Sequence, residues 1–536
     1  MTKDFGILNA TIVIGFLLAN LILGYFLGRR VKNAKDYYFG SKSTPWWAIG
    51  ISVIATYVSA LSFLGGPAWA YTDGLSALAI HLNYPIVIFV VITLFLPFFY
   101  NSGVASIYEY QERRFGVTSR SVMSMIFLVS QALTTAAILY ATALVLQFVT
   151  GIDVIAAIII ITVIALIYTA MGGMLAVIWT DVFQATVLLI GAGIIMYALI
   201  DNLPVPLADA LAGLKAEGKL SAIVTTPDIT KATTIWSGVI AMTLFHVTVY
   251  GANQMMVQRT LGAPTIGGAK KAYLLMGFAA FPIYFLFFFV GVLCYAYYDG
   301  KPFDNTNEII LIFASSAGIP GLMGILTAAV LAASMSTLSS AFNSLATVTT
   351  IDFYRKFSKV PDGQGHYLKM TRIFTLCWAV IVIVPAIMYS NTEGSILEVL
   401  SKIGSFFVGA KLGMYALGFF SKHTTEKGLL VGVAVGFVMV WYVATYTDIA
   451  WPWYCAIGGG TNIIVSIVAS LILTGRQENW SPYTVVGQRL KFADTGEAIS
   501  QDGWYRLPGR IDRISWLLIV FFVVTVAGLK LFELAV

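Results

Sequence analysis

Long apolar runs separated by short polar segments organise this chain along its whole length. A helix that crosses a membrane needs about 20 consecutive, mostly apolar residues. Fourteen segments meet that requirement, and we number the predicted helices 0 to 13 in chain order: 8–28, 45–72, 77–100, 121–149, 152–172, 175–201, 233–257, 271–298, 318–349, 370–390, 396–419, 427–447, 450–474 and 513–534. The pattern predicts an all-α polytopic membrane protein with about 14 transmembrane helices.

Composition supports the same class. The 536 residues are 58% hydrophobic and 11% charged, with a mean hydropathy of +0.84. A soluble globular protein carries about 25% charged residues. The first apolar segment is too long for the core of a signal peptide and has no small-residue cleavage site after it, so we expect a retained helix.

The basic residues predict how the helices are oriented. The polar segments after even-numbered helices hold 24 lysines and arginines, and the opposite loops and tails hold six. Because cytoplasmic loops are enriched in these residues, the first side is predicted to be cytoplasmic and both termini to be outside. The net charge of +6 therefore reflects orientation and does not suggest nucleic acid. The external loop at 202–232 is expected to hold a short helix, and the polar segment 475–512 to lie on the cytoplasmic surface, partly at the lipid interface.

Two predicted helices contain residues that can interrupt a helix. Predicted helix 1 contains Gly65, Gly66 and Pro67, and predicted helix 6 has a weak point at Gly251–Asn253. Irregular backbone at membrane depth persists only where it lines a cavity or is buried in protein. Two interrupted helices placed five helices apart are typical of an inverted-repeat transporter, although ordinary glycine or proline kinks would also explain them.

Polar groups inside the predicted spans mark candidate sites. Residues Leu331–Ser344 carry six hydroxyl side chains, and oxygen atoms are the ligands that hard cations prefer. Asp181 in predicted helix 5 either pairs with a cation or donor, or caps a helix N-terminus at the interface. His81 and His246 are the histidines within spans. Lys402 and Lys411 are nine residues apart, about 180° around a helix, so one at most faces a given cavity.

Four sequence blocks, with the serine-rich predicted helix 8 as a fifth, resemble the sodium/solute symporter family, which includes glucose, proline, sialic acid and iodide/monocarboxylate cotransporters. The likeness runs from about Asp36 to Lys422 and rests on DYYFGSKSTPWWAIGISVIA, SIYEYQERRFG, IYTAMGGMLAVIWTDVFQ and NQMMVQRTL. The resemblance implies a LeuT-type fold with a five-plus-five inverted repeat. The first repeat would span 45–201, the external loop 202–232 and the second repeat 233–420. An extra helix and loop at 1–44 would precede them, and helices 11–13 at 421–536 would follow.

The resemblance also implies where sodium binds. The main sodium site would be formed by the carbonyls of Ala55, Val58 and Ala333 and by the side chains of Ser336 and Thr337. A second sodium site, or a sodium relay, would use Asp181 with Ser336, Ser339 and Ser340. These serines are close to one another on one face of a helix.

The substrate positions depart from the family pattern. The glutamate of sugar transporters falls on His81, their glutamine on Ser62 and their inner-gate tyrosine on Met255, while the carboxylate-binding arginine of sialic acid transporters falls near Thr134. The residues implied to line the substrate cavity are Tyr57, Ser59, Ser62, His81, Asn253, Ser401 and Lys402. His81 and Lys402 favour an anionic substrate.

The resemblance therefore implies a sodium-coupled symporter that imports a small organic solute, with a preference for a monocarboxylate or a sugar acid. A neutral sugar is the main alternative, and a membrane sensor or channel on the same fold is a further one. No metalloprotease, lipase or phosphate-binding loop motif is present, so we do not expect an enzyme. The expected partners are sodium, the solute and the bilayer, without an obligate protein partner, and the expected location is the plasma membrane, as a multi-pass protein of a bacterial inner membrane.

Overall fold

The computed structural model describes residues 5–31, 33–40, 44–358, 360, 365–389, 396–477 and 479–536; within its helices, the side chains of Met171 and of residues 396–402 lie outside the described set. Apart from one isolated β-bridge between Ile499 and Tyr505, the regular structure of this part of the chain is helical. The fold is therefore all-α, as the apolar pattern predicts.

The described residues up to 216 contain ten α-helices. They are α1 (Ile7–Gly28), α2 (Ala34–Phe39), α3 (Trp46–Tyr57), α4 (Ala60–Asp73), α5 (Tyr84–Val90), α6 (Leu96–Ser102), α7 (Glu109–Arg114), α8 (Val117–Thr150), α9 (Val154–Asp201) and α10 (Leu207–Ala216). A 3-10 helix at Gly74–His81 and a π-helix at Val91–Phe95 complete the helical run from α4 to α6. Helix α10 confirms the short helix expected in the loop at 202–232.

The described residues from 242 onward contain twelve more α-helices. They are α11 (Met242–Gly251), α12 (Gln254–Leu261), α13 (Ile266–Tyr297), α14 (Ile309–Ser316), α15 (Leu322–Val348), α16 (Arg355–Phe357), α17 (His366–Tyr389), α18 (Ile396–Phe420), α19 (Glu426–Tyr446), α20 (Pro452–Thr474), α21 (Val485–Thr495) and α22 (Trp516–Ala535). Further short 3-10 or π segments lie at Trp236–Ala241, Thr306–Glu308, Thr349–Tyr354 and Arg513–Ser515.

Eleven helical stretches in the described chain are long and apolar enough to cross a membrane. Predicted helices 4 and 5 run together as α9, which turns at Gly173, where φ is 51° and ψ is −150°. A side chain is disfavoured at this φ, and a Cβ atom would also lie 2.8 Å from the Tyr37 carbonyl oxygen. The count of fourteen spans and the placement of both termini outside stay predictions.

Helix α15 is the centre of the molecule. Every residue from Leu326 to Val348 is buried, and α15 packs against α9, α8 and α1. A helix buried on all sides is surrounded by other helices rather than by lipid. The hydroxyl cluster that α15 carries therefore faces protein, which is where an ion site can form.

The first interrupted helix breaks at a different place from the one predicted. Helix α3 ends at Tyr57, Val58 and Ser59 are extended, and α4 begins at Ala60, so Gly66 and Pro67 lie inside α4. These residues allow close packing instead. A Cβ atom on Gly291 of α13 would lie 2.3 Å from the Pro67 carbonyl oxygen.

The second predicted interruption is confirmed. Helix α11 ends at Gly251, and α12 begins at Gln254. The Asn253 side chain caps α12, because its Oδ1 accepts a hydrogen bond from the Met255 backbone N–H at 2.9 Å. Two broken helices, α3/α4 and α11/α12, are therefore present.

The segment at 475–512 packs on the ends of the helices, and its partial place at the lipid interface stays a prediction. Trp504 is buried, and Lys270 of α13 binds Asp512 with Nζ and Oδ2 2.5 Å apart. The Thr93 carbonyl oxygen accepts a hydrogen bond from the Gly509 N–H at 2.9 Å. The segment thus ties α22 to α13 and to the helices around α5.

Candidate functional site

The break between α3 and α4 presents backbone carbonyls to α15. The last carbonyls of a helix have no partner within it. The Thr337 hydroxyl lies 3.0 Å from the Thr56 carbonyl oxygen and 3.3 Å from that of Ala333. Ala55 and Val58, whose carbonyls the resemblance implies as ligands, flank this contact in sequence and are buried. The structure thus brings a threonine hydroxyl of α15 to the carbonyl end of α3.

Ser336 faces a different partner from its neighbour Thr337. The Ser336 hydroxyl donates to Asp181 Oδ1 at 2.6 Å, and the Ser52 hydroxyl donates to Oδ2 at 2.5 Å. The Thr56 hydroxyl lies 3.4 Å from the same Oδ2. Asp181 is fully buried inside α9, so the interfacial helix-cap interpretation is wrong. The carboxylate joins α3, α9 and α15 at one point.

A buried arginine completes this cluster. Arg259 Nη2 lies 3.5 Å from Asp181 Oδ2, and Arg259 Nε donates to the Ser52 hydroxyl at 2.7 Å. Nη2 also donates to the Ser340 hydroxyl, which lies 3.2 Å from Thr56 Oγ1. Both ions of the pair have no solvent-exposed side-chain surface. The formal charge of Asp181 is therefore balanced by protein.

Sequence reasoning missed Arg259, Ser52 and Thr56. Arg259 was counted among cytoplasmic charges, although it follows the break of the second interrupted helix by only six residues. Ser52 and Thr56 are four residues apart in α3, a spacing that places them on one helix face. That spacing was the available signal for a hydroxyl pair beside Asp181.

The remaining hydroxyls of α15 divide between the cluster and packing. Ser339 donates to the Ser336 carbonyl at 3.0 Å and, within the part of the chain that the structure describes, makes no hydrogen bond with Asp181. Ser334 accepts a hydrogen bond from Thr142 of α8 at 2.5 Å. Of the predicted second set, Ser336 and Ser340 therefore reach the cluster directly, and Ser339 does not.

A cavity of about 220 Å³ lies beside the Thr337–Thr56 contact, and both threonines line it. The predicted substrate residues Tyr57, Ser59, Ser62, His81 and Asn253, and the predicted gate Met255, all line it as well. Ser401 and Lys402 belong to α18, but their side chains lie outside the described residues. The candidate ion site and the cavity thus share a wall.

Histidine and tyrosine rings form one wall of the cavity. The ring of His81 stacks on that of Tyr284, with centroids 3.7 Å apart, and His81 Nδ1 lies 3.0 Å from the Tyr84 hydroxyl. His246 has partners at both nitrogens: Asn83 Oδ1 at 3.0 Å and the Tyr57 hydroxyl at 3.1 Å. Both ring nitrogens of His246 therefore have protein partners, and this histidine joins Asn83 to Tyr57 of the cavity wall.

The arrangement offers neutral oxygens next to a mixed polar and aromatic cavity between broken helices. Carbonyl and hydroxyl oxygens suit a hard monovalent cation, and interrupted helices at mid-membrane are where transporters bind ions and solutes. Among the described residues, no group of three or more histidine, cysteine, aspartate or glutamate side chains has a metal-binding arrangement. The geometry is that of an ion-coupled transporter.

The chain belongs to the sodium:solute symporter family, whose model matches residues 37–436. It is 29% identical over 494 residues to the sodium/sialic acid symporter SiaT of Proteus mirabilis (strain HI4320), covering 88% of this chain and 97% of that protein. It is 30% identical over 476 residues to the sodium/sialic acid symporter NanT of Aliivibrio fischeri, covering 87% and 94%. The human sodium/iodide cotransporter is 28% identical over 421 residues, covering 77% and 65%.

Solved structures show the same fold. A Na⁺-coupled sialic acid symporter in a substrate-bound outward-open state superimposes with a TM-score of 0.82 at 28% identity, over 89% of this chain and 100% of that chain. The nucleobase-cation-symport-1 transporter Mhp1 gives 0.55 at 16% identity, over 81% and 93%, and supports the fold alone.

These findings confirm the expectations about class, family and partners. The protein is a multi-pass membrane transporter with LeuT-like fold neighbours and is not an enzyme, because its relatives are transporters. It belongs to a sodium-coupled symporter family, so sodium and a small-molecule substrate are its partners.

Proposed function

We propose that this protein imports a small organic anion, a monocarboxylate or a sugar acid, by coupling its entry to sodium across a bacterial inner membrane. The observation that carries the proposal is the Thr337–Thr56 contact, in which a hydroxyl of α15 meets a free carbonyl of the broken helix at the cavity wall. An ion bound there would touch both the helix break and the solute cavity.

Sodium would bind among the oxygens of Ala55, Thr56, Val58, Ala333 and Thr337. It would replace the direct Thr337–Thr56 hydrogen bond and hold α3 against α15. An ion that stabilises the solute-binding arrangement supplies a coupling free energy between the two sites. Inward movement of each sodium ion also gains about 2.3 kcal/mol per 100 mV of membrane potential.

Ser336 and Asp181 are proposed to link this main site to a second cation position or to a relay. Arg259 already balances Asp181 and contacts Ser340, so a second sodium would have to displace the guanidinium group. This favours the relay, in which Asp181 orients Ser336 next to Thr337. Ser339, which faces its own helix backbone, would contribute only after rearrangement.

The cavity lining favours an anion. The lining residues include one formal cation, Lys411, and no carboxylate among those described. The volume of about 220 Å³ is below the roughly 300–1,000 Å³ of sites for drug-sized ligands, which favours a small solute in this conformation. Relatives named for sialic acid and for monocarboxylates are consistent with a carboxylate substrate.

Met255 is proposed as the inner gate. It lies at the start of α12, two residues after the Asn253 cap, and lines the cavity. In the proposed five-plus-five arrangement, with repeats at 45–201 and 233–420, α12 is the inner half of the second broken helix. Movement of α12 would then open the cavity toward the cytoplasm.

Uptake into proteoliposomes tests the function. We expect saturable, concentrative uptake of labelled pyruvate, lactate, gluconate or N-acetylneuraminate with an inward sodium gradient, and none above background with potassium in its place. Equal uptake in both conditions would disprove sodium coupling. Concentrative uptake of glucose alone would show that the substrate is a neutral sugar and not an anion.

A further inference from the structure

Lys411 of α18 is the unusual cation of this structure. Four lysine and arginine side chains are buried in the described chain: Arg120, Arg259, Lys270 and Lys411. Arg120 pairs with Asp352, Arg259 with Asp181 and Lys270 with Asp512. No described carboxylate lies within ion-pair distance of Lys411, which is only 4% exposed.

A buried cation without a counter-ion is costly. The desolvation of a charged group is offset only when another group compensates the charge. Here the protein supplies two weak partners: the Ser130 hydroxyl, 3.1 Å from Nζ, and the Phe127 ring, whose centroid is 5.6 Å from Nζ. A lysine ammonium has three N–H donors, so its hydrogen-bonding capacity is unfilled by the described residues.

Lys411 lines the same cavity as the sodium-facing threonines and the histidine wall. The neighbouring surface of α8 adds Ser130, Gln131 and Thr134, which are all cavity residues. Thr134 is one helical turn from Ser130, so Lys411 and these three side chains define one polar corner. The cavity also presents Phe245 and Phe407, which suit the apolar part of a solute.

We infer that Lys411 binds the carboxylate of the transported solute in this polar corner, with Ser130 and Thr134 as neighbouring hydrogen-bond donors. This inference rests on the proposed function and names the residue that selects for a carboxylate. The solute supplies the missing counter-charge. The cavity therefore binds an anion more tightly than a neutral molecule of similar size. His81, which belongs to the wall of histidine and tyrosine rings, would contact another part of the solute.

The test compares substrate affinity in variants that differ at this charge. Proteoliposomes with an inward sodium gradient are assayed with labelled pyruvate, lactate, gluconate and N-acetylneuraminate, and with glucose and iodide. Lys411→Met removes the charge and keeps an unbranched apolar stem. We expect its KM for the carboxylate taken up by the wild type to rise about tenfold or more, because hydrogen bonds to charged groups are among the strong ones.

Three controls separate binding from folding. Lys231→Met, at an exposed lysine outside the cavity, should keep the wild-type KM. Lys411→Arg keeps the charge and should retain part of the affinity. The thermal stabilisation of Lys411→Met by sodium alone should match that of the wild type, since the proposed main sodium site at Thr337 does not include Lys411.

The outcomes distinguish this inference from the proposed function. A wild-type KM for the carboxylate in folded Lys411→Met overturns the inference and leaves the function standing. Wild-type protein that takes up only glucose or only iodide overturns both. If Lys411→Met does not fold, Lys411→Gln takes its place, and a wild-type KM in that variant overturns the inference equally.

Discussion

Thr337 and Ser336 are adjacent in sequence, but they serve different partners. Residues one position apart on a helix point about 100° away from each other. Thr337 therefore reaches the Thr56 carbonyl, while Ser336 reaches Asp181. A single run of hydroxyls thus divides between a side that faces the Thr56 carbonyl and a side that faces the Asp181 carboxylate.

Thr337→Ala should weaken sodium coupling at the main site. The change removes the side-chain oxygen beside the Thr56 carbonyl, so we expect the sodium concentration for half-maximal uptake to rise several-fold. Sodium-dependent uptake in proteoliposomes measures it. Thr337→Ser, which keeps the hydroxyl, should stay near wild type, and Ser334→Ala, whose hydroxyl contacts Thr142, should not change sodium dependence. Unchanged sodium dependence in Thr337→Ala would remove this residue from the site.

The resemblance implies positions for the cavity residues even where the residue type departs from the family pattern, as at Ser62 and His81. Tyr57, Ser62 and His81 line the cavity, and their part in substrate binding stays a prediction. Arg259 was not predicted, because a basic residue near the cytoplasmic end of a span gives the same signal whether it faces water or a buried carboxylate. Only the fold brings it to Asp181, 78 residues earlier in the chain.

At the scale of elements, glycine and proline had two possible meanings, and the packing decides between them. Gly65–Pro67 were read as an interruption, but Gly66 faces the Phe288 ring, and a Cβ atom there would lie 3.0 Å from Phe288 Cε2. The actual break at Val58–Ser59 carries no glycine or proline. It is stabilised by contacts of α3 with α15, which no local pattern encodes.

Gly291→Ala should destabilise the contact between α4 and α13. The added Cβ atom would lie 2.3 Å from the Pro67 carbonyl oxygen, so the two helices must separate. Overpacking of this kind costs about 1–3 kcal/mol. We expect a lower thermal unfolding midpoint of the detergent-solubilised protein.

Gly193→Ala of α9 is the matched control, because no atom other than the local backbone of its own helix lies within 4 Å of a Cβ atom there. That variant should unfold at or slightly above the wild-type temperature, since alanine favours helix over glycine. If Gly291→Ala and Gly193→Ala have the same thermal unfolding midpoint, α4 and α13 are not in the close contact described.

At the scale of the whole molecule, ion pairs join elements on the predicted cytoplasmic side. Arg120 of α8 binds Glu112 at 2.7 Å and Asp352, after α15, at 2.5 Å. Burial raises the pKa of Glu112, but hydrogen bonds from Lys356 and Arg120 outweigh it and hold this pKa below its ordinary value. The hydropathy pattern does not predict such ion pairs, because it registers each charged residue separately and not its partner.

Asp512→Asn should loosen the segment at 475–512 from the transport helices. Lys270 is fully buried and binds both Asp512 and the Tyr505 carbonyl oxygen, the latter at 2.7 Å. Removal of the carboxylate leaves an uncompensated buried ammonium, which costs about 3–5 kcal/mol. We expect a lower thermal unfolding midpoint and faster tryptic cleavage within the segment.

Two further variants test whether the Lys270–Asp512 ion pair causes the effect of Asp512→Asn. Asp494→Asn, at an exposed carboxylate of α21, should behave as wild type. The double variant Lys270→Met/Asp512→Leu removes both charges and should recover part of the stability lost in Asp512→Asn, because no unpaired ion remains. If the double variant is no more stable than Asp512→Asn, the ion pair does not couple the segment to α13. Recovery would show that one buried ion pair joins the last helix of the chain to the bundle that surrounds the cavity.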